Sequence, residues 1–180
     1  NNLSKDQITF LVRNLAQLDE MADIVLVDTG AGIADSVLEF VMACPEVLLV
    51  STPEPSSLTD SYSLLKALHR NPNFAKSGTQ IHVVANRVNS VEDGQAVYDK
   101  LNTVVSQFLN GNLEYLGMIP HDSMFEKAIR QQQTVSLYAP ETKSAKAFEI
   151  LANNLITGAH DIPLMKQGFA QLFAEFFNNR

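Results

Sequence analysis

Asp23-Ile24-Val25-Leu26-Val27-Asp28-Thr29-Gly30-Ala31-Gly32-Ile33 is the stretch on which the fold reading turns. Its apolar run is Val- and Ile-rich, lacks polar alternation, and ends in a carboxylate followed closely by two glycines. That pattern predicts a strand of a parallel sheet, buried on both faces. Open α/β sheets bind ligands at the carboxyl ends of their strands, and a Gly-x-Gly turn lets backbone N–H groups approach an anion closely. An aspartate at that point reads as magnesium and phosphate chemistry. The competing reading is a structural Asp28 that caps the next helix.

The 180 residues, 46% of them hydrophobic, suffice for one domain with a sizeable core. A net charge of −7 disfavours a generic grip on nucleic acid, so no specific nucleic acid partner is expected. The single cysteine, Cys44, forms no internal disulfide and reads as a small apolar residue in a reducing, cytoplasmic compartment. The sequence shows neither a leader pattern nor an apolar run long enough to span a membrane. His69, His82, His121 and His160 lack metal-ligand spacing and read as surface or loop residues.

Outward from the opening stretch, apolar periodicity alternates with short apolar runs. Helices are expected over 4–21, 34–43, from Ser56 or Ser57 to Arg70, 92–109, 123–132 and 143–156. Strands are expected over 23–28, 46–51, 81–85 and 115–119. This alternation predicts an α/β fold, a mostly parallel sheet with helices on both faces.

Four motifs occur in a telling order: Asp28-Thr29-Gly30-Ala31-Gly32, then Ser51-Thr52-Pro53-Glu54-Pro55-Ser56-Ser57, then Asn86-Arg87, then Gly117-Met118-Ile119-Pro120-His121-Asp122. The set resembles the MinD/ParA family of P-loop ATPases with a deviant Walker A motif. Within that family it is most like the flagellar-number regulators, the FlhG or YlxH type. The resemblance covers about residues 1–157. It implies a SIMIBI-type P-loop NTPase fold, ATP and Mg2+ as cofactors, and an ATP-dependent homodimer. Asp28 would be the Walker B-type aspartate that holds the metal, and Gly32 part of the switch turn that senses the γ-phosphate. Asn86 would read the adenine edge, Arg87 would pack over the base, and Pro120 and Asp122 would wrap base and ribose. Glu54 falls on the nucleotide-sandwich dimer face of the family, or is a solvated loop residue.

The family's Lys-Gly-Gly-x-Gly-Lys-Thr phosphate loop has no counterpart here, and no glycine precedes Gly30. Phosphate cradling depends on that loop and its lysine. The expectation is therefore a C-terminal portion of a longer ATPase, with its N-terminal strands missing and no hydrolysis on its own. The resemblance implies an ATP-dependent spatial regulator of flagellar number or placement; the alternatives are a nucleotide-independent scaffold or remnant, and a MinD-like regulator of cell-division placement. Its partners would be flagellar-assembly or division proteins.

Residues 158–163 read as a linker. Beyond them Met165, Phe169, Leu172, Phe173, Phe176 and Phe177 form one apolar stripe over 164–180, opposed by Lys166, Gln167, Gln171, Glu175 and Asn178. Such an amphipathic helix can lie in a membrane interface, peripheral at the inner face of the cell membrane, or pack on protein. Its small net charge leaves little attraction to anionic lipid.

Overall fold

The computed structural model describes residues 21–30, 32–159 and 161. The helix expected over 4–21 and the amphipathic helix expected over 164–180 lie outside the described residues, as does much of the 158–163 linker. The described elements run α1 (Asp35–Ala43), β1 (Glu46–Ser51), α2 (Pro55–Arg70), α3 (Phe74–Ser77), β2 (Gln80–Val88), α4 (Val91–Phe108), β3 (Glu114–Pro120), α5 (Ser123–Arg130), α6 (Val135–Tyr138) and α7 (Lys143–Thr157).

Three strands form one sheet in the order β1-β2-β3, both pairs parallel. The expected α/β class, a parallel sheet with helices on both faces, is what the structure shows. β2 lies in the middle and is buried on both faces, with Val83, Ala85 and Val88 wholly shielded from solvent. Its unbroken Ile81-His82-Val83-Val84-Ala85 run suits that position, because a strand covered on both sides has no solvated face to alternate with. Ile81, Val83 and Ala85 point into one core layer with Leu65 and Leu68 of α2 and Val97, Leu101 and Val105 of α4. Val84, Leu116 and Ile119 point the other way, against Leu151 of α7 with Phe125 and Phe148 beside it. The last two rings meet edge to face at 5.4 Å.

The β2/β3 ladder is broken twice. Val83 pairs with Tyr115 but Val84 with Gly117, which leaves Leu116 as an extra residue; Gly117 absorbs the kink with φ +144°, open to glycine alone. Further along, Asn86 pairs with Ile119 and Val88 with Pro120, so Arg87 is skipped, at φ +57°. The carbonyl of the extra Leu116 finds its partner off the sheet. Asn154 of α7, 1% exposed, donates to it at 2.9 Å from Nδ2. The same amide donates to the Asp161 carbonyl at 2.8 Å and accepts from the Asp161 N–H at 3.1 Å, which folds the chain back over the end of α7 after Gly158.

Several sequence expectations need correction. The run 23–28 is not a strand: the stretch from Ala22 to Gly30 carries no regular secondary structure, and Ile24, Val25, Leu26 and Val27 are exposed. An apolar run becomes a buried strand only where a neighbouring strand accepts its backbone hydrogen bonds, and 23–28 pairs with none of the described strands. The helix expected from Ser56 or Ser57 begins at Pro55 with Glu54 as its N-cap and no side-chain cap. Proline at the first helical turn needs no N–H partner, so the start moves upstream. The helix expected to Gln132 ends at Arg130. The short helices α3 and α6 were not expected, since four residues carry too little periodicity to read. His82 is not a surface or loop residue; it sits in the middle strand, 7% exposed.

Asn154 is the polar group on which the α7 packing depends. Asn154→Ala is expected to lower stability by about 2 kcal/mol, because it leaves the buried Leu116 carbonyl unpaired. Urea unfolding followed by circular dichroism measures it, and a loss within about 0.5 kcal/mol would show that water replaces the amide.

Candidate functional site

The carboxyl ends of the three strands collect the polar side chains that the apolar runs exclude. β1 ends in Ser51 and leads into Thr52; β2 ends in Asn86, Arg87 and Val88; β3 ends in Pro120 and leads into His121 and Asp122. Pairing continues past the last strand residue, since the His121 N–H donates to the Val88 carbonyl at 2.8 Å. Asn86, Arg87, Pro120 and Asp122 are thereby gathered on one edge.

At β1 a hydroxyl network fixes the turn into α2. Ser61 Oγ donates to Ser51 Oγ at 3.0 Å, Ser51 and Ser57 hydroxyls lie 3.3 Å apart, and Ser57 Oγ accepts from the Thr52 N–H at 3.0 Å. Ser57, expected at the start of this helix, lies in its first turn and holds the strand-to-helix loop. Two polar atoms beside this network have no partner although both are shielded from solvent: Thr52 Oγ1 and Asn86 Oδ1. The β1/β2 register, Ser51 opposite Ala85, puts these two residues on neighbouring strands at the same end. Buried polar atoms in native proteins are nearly always hydrogen-bonded, so an orphaned pair at the ligand-binding end of a parallel sheet marks a place for a hydrogen-bonding group from outside.

Arg87 follows directly. Its left-handed backbone is uncommon for a residue with a side chain and costs on the order of 1 kcal/mol. The bulge exposes its guanidinium while Asn86 stays partly buried. Such bulges re-aim side chains next to binding sites.

Asp122 is engaged on both oxygens. Oδ1 accepts from the Met124 N–H at 2.9 Å as the N-cap of α5, and Oδ2 accepts from Ser144 N–H at 3.2 Å and Ser144 Oγ at 3.0 Å. One carboxylate thus ties the start of α5 to the first turn of α7. Burial pushes its pKa up, but the hydrogen bonds from Met124 and Ser144 and the charge of Lys143 outweigh that and hold it below the ordinary aspartate value. His121 lies beside it, with Nε2 3.7 Å from Glu126 Oε1.

Asp28 lines a different part of the surface from this edge. Asp28 lies in the irregular, exposed stretch 22–30 and lines an open cavity of about 680 Å³ with Cys44, Glu46, Leu48 and Ile156. None of Asn86, Arg87, Pro120 or Asp122 lines that cavity. Gly32 has φ +117°, a turn conformation that side chains avoid. Glu54 is exposed at the start of α2. Sequence reasoning missed Thr52 and the Ser51, Ser57 and Ser61 network; the signal was the density of hydroxyls in Ser51-Thr52-Pro53-Glu54-Pro55-Ser56-Ser57.

Asn86 presents at this edge an unused buried acceptor, Oδ1, beside an amide donor, a pairing of the kind that a heterocyclic base edge calls for. Among the described residues no group of three or more His, Cys, Asp or Glu forms a metal cage.

The Asp122 tie has a pH signature. A carboxyl whose folded-state pKa lies below its ordinary 3.8 contributes stability above that value and loses it as pH falls through the lower folded value. Asp122→Ala is expected to cost about 1 kcal/mol near neutral pH, with the gap to wild type closing in acid. Urea midpoints measured at pH values on both sides of 3.8 read it, and a gap that persists in acid would assign the loss to packing.

No family model matches the chain. Antiactivator FleN of Pseudomonas aeruginosa is 36% identical over 174 residues, which is 97% of this chain and 60% of FleN. Flagellum site-determining protein YlxH of Helicobacter pylori is 31% identical over 156 residues, 84% of this chain and 50% of YlxH. The cell division ATPase MinD of Pyrococcus furiosus superposes with a TM-score of 0.63 at 26% identity, covering 88% of this chain and 64% of that one. This chain therefore spans only 50 to 60% of the curated relatives' own length. With the parallel sheet, the ordered motifs and these likenesses together, the chain belongs to the MinD/ParA family of P-loop NTPases, with its sequence likeness on the flagellar-regulator type.

Proposed function

We propose that this chain is part of an ATP-dependent spatial regulator that controls flagellar number or placement. The observation that carries the reading is the match to FleN across 97% of the chain, with YlxH, a flagellum site-determining protein, beside it. The orphaned Asn86 Oδ1 at the carboxyl end of β2 supports the nucleotide half of the proposal.

In this reading Asn86 binds the adenine edge, Arg87 packs over the base from its bulge, and Pro120 closes its side. Asp122 acts by position: it fixes the start of α5 and α7 so that the 120–122 loop keeps its shape, because both its oxygens are occupied by the chain itself. Asp28 holds Mg2+ and Gly32 belongs to the turn that senses the γ-phosphate. Bound ATP supplies the phosphoanhydride whose cleavage resets the cycle. Dimerisation in the ATP state and membrane binding through 164–180 complete the proposed cycle, and flagellar-assembly proteins are its proposed partners. The domain division into 1–157, linker 158–163 and helix 164–180 belongs to the same proposal. Among the described residues no helix is long and apolar enough to cross a membrane.

Isothermal titration of Mg-ATP and Mg-ADP tests the base end. Micromolar binding, weakened about tenfold or more in Asn86→Ala, is expected, since the variant removes a hydrogen bond to a desolvated base edge. Binding that Asn86→Ala leaves unchanged would remove Asn86 from the site. No binding to the 180-residue chain, with binding to the full-length protein, would place the dominant contacts on the phosphate loop. In the full-length protein Asp28→Ala is expected to abolish hydrolysis and leave the circular dichroism spectrum unchanged; retained turnover would take the metal away from Asp28.

A further inference from the structure

Thr52 is the residue at the carboxyl edge of the sheet that the nucleotide reading leaves without a task. It follows Ser51, the last residue of β1, as Asn86 follows Ala85 on β2, and Ser51 and Ala85 are register partners. Neighbouring strands lie about 5 Å apart, so the Thr52 and Asn86 side chains start from adjacent backbone positions. Each carries a polar atom that is shielded from solvent and has no hydrogen-bond partner, Thr52 Oγ1 and Asn86 Oδ1.

The hydroxyls around Thr52 are spent on the chain itself. Ser61 Oγ donates to Ser51 Oγ, and Ser57 Oγ lies against Ser51 Oγ while accepting from the Thr52 N–H. Further along α2, Thr59 Oγ1 donates to the Pro55 carbonyl at 2.8 Å, and Ser63 Oγ to the Thr59 carbonyl at 2.8 Å. The Thr52 backbone is thereby fixed, and its own hydroxyl takes no part in the network that fixes it. Packing does not call for that hydroxyl. A valine has the same branched shape without the unmet polar atom, and an apolar group of like shape is tolerated better than a buried polar atom with no partner. A hydroxyl kept there needs a partner from outside the chain.

The two orphaned atoms are complementary in kind. Asn86 Oδ1 only accepts, whereas a hydroxyl has a proton to donate. An acceptor beside a donor matches a heterocycle that carries an amino group next to a ring nitrogen, and adenine has such a nitrogen on either side of its amino group. The amine would donate to Oδ1 and the ring nitrogen would accept from Oγ1.

We propose that Thr52 is a specificity-determining residue of the nucleotide site: its hydroxyl donates to the ring nitrogen beside the amino group that Asn86 Oδ1 holds, so that β1 and β2 read the adenine edge together. The assignment rests on the nucleotide reading of this chain.

Isothermal titration of Mg-ADP, 1-deaza-ADP and 7-deaza-ADP into the full-length protein tests it, because each analogue lacks one of the two ring nitrogens and keeps the amino group. Wild type is expected to bind one of the analogues about tenfold more weakly than Mg-ADP, the loss of one hydrogen bond. Thr52→Val is expected to weaken Mg-ADP by a similar factor and to leave the affinity for that analogue unchanged. Thr52→Ser, which keeps the hydroxyl, is expected to stay within about threefold of wild type. Without nucleotide, Thr52→Val is expected to melt no lower than wild type, since it is relieved of an unmet polar atom. Unchanged Mg-ADP affinity in Thr52→Val would overturn the assignment and leave the hydroxyl to a bridging water; an equal loss for all three nucleotides would overturn it in favour of a structural role. If Thr52→Val fails to fold, equal affinity of the wild type for all three nucleotides overturns it instead. Weakened Mg-ADP binding in Asn86→Ala but not in Thr52→Val would remove Thr52 alone, and a wild type that binds no Mg-ADP would remove the nucleotide reading and Thr52 with it.

Discussion

The double pairing of β2 is the constraint on which the rest of the structure depends. A middle strand in a parallel sheet is covered on both faces, so its sequence must be apolar and its neighbours must bring helices with them. Ile81, Val83 and Ala85 call for α2 and α4 on one side, and Val84 calls for α7 on the other. The bulges then follow from packing two unequal layers on one ladder. Leu116 enters as an extra residue so that both it and Ile119 reach the α7 side. Its stranded carbonyl requires Asn154, and Asn154 in turn fixes the path of the chain at Asp161.

Both ends of the sheet hold buried polar atoms that the chain itself leaves without a hydrogen-bond partner. At the amino ends His82 lies between Glu46 and Glu114, yet its Nε2 and the Tyr115 hydroxyl are buried without a hydrogen-bond partner. At the carboxyl ends Thr52 Oγ1 and Asn86 Oδ1 are buried and uncompensated. A buried acceptor left unmet costs stability until something binds. The pair at the carboxyl ends lies where ligand sites of open parallel sheets are placed.

Much of this was legible because it rests on local pattern. The runs at 46–51, 81–85 and 115–119 are short, mostly apolar and flanked by helical periodicity, and each became a strand. The helices at 35–43, 91–108 and 143–157 followed their apolar spacing to within about two residues, the ordinary uncertainty of an end. What the sequence could not show were pairings across the chain. Nothing near His82 announces Glu46 or Glu114, which lie 36 and 32 residues away in the chain and meet it only through strand register. Asp122 was read as a ligand through the family resemblance, which sets it with Pro120 around base and ribose, and its commitment to Ser144 arises from the approach of α7. Arg87 was legible as a residue of interest, but the bulge that lifts it from the ladder was not.

The stretch 23–28 shows the boundary of such reasoning most clearly. Val25, Leu26 and Val27 have the composition of a buried strand, yet composition states what burial a segment needs and not what supplies it. β1 makes the same point from the other side: its outer edge is unpaired among the described strands, and Leu48 and Val50 are exposed there, 40% and 53%. A strand forms when its backbone donors and acceptors find a ladder and its side chains find two covering layers, and each condition is set by elements distant in sequence. β2 meets both conditions and is shielded throughout its middle; β1 meets them on one side and is half exposed; 23–28 meets neither and is irregular. The gradient across these three segments of similar sequence is therefore a gradient in neighbours, which is why the same apolar pattern reads correctly in two places and fails in the third.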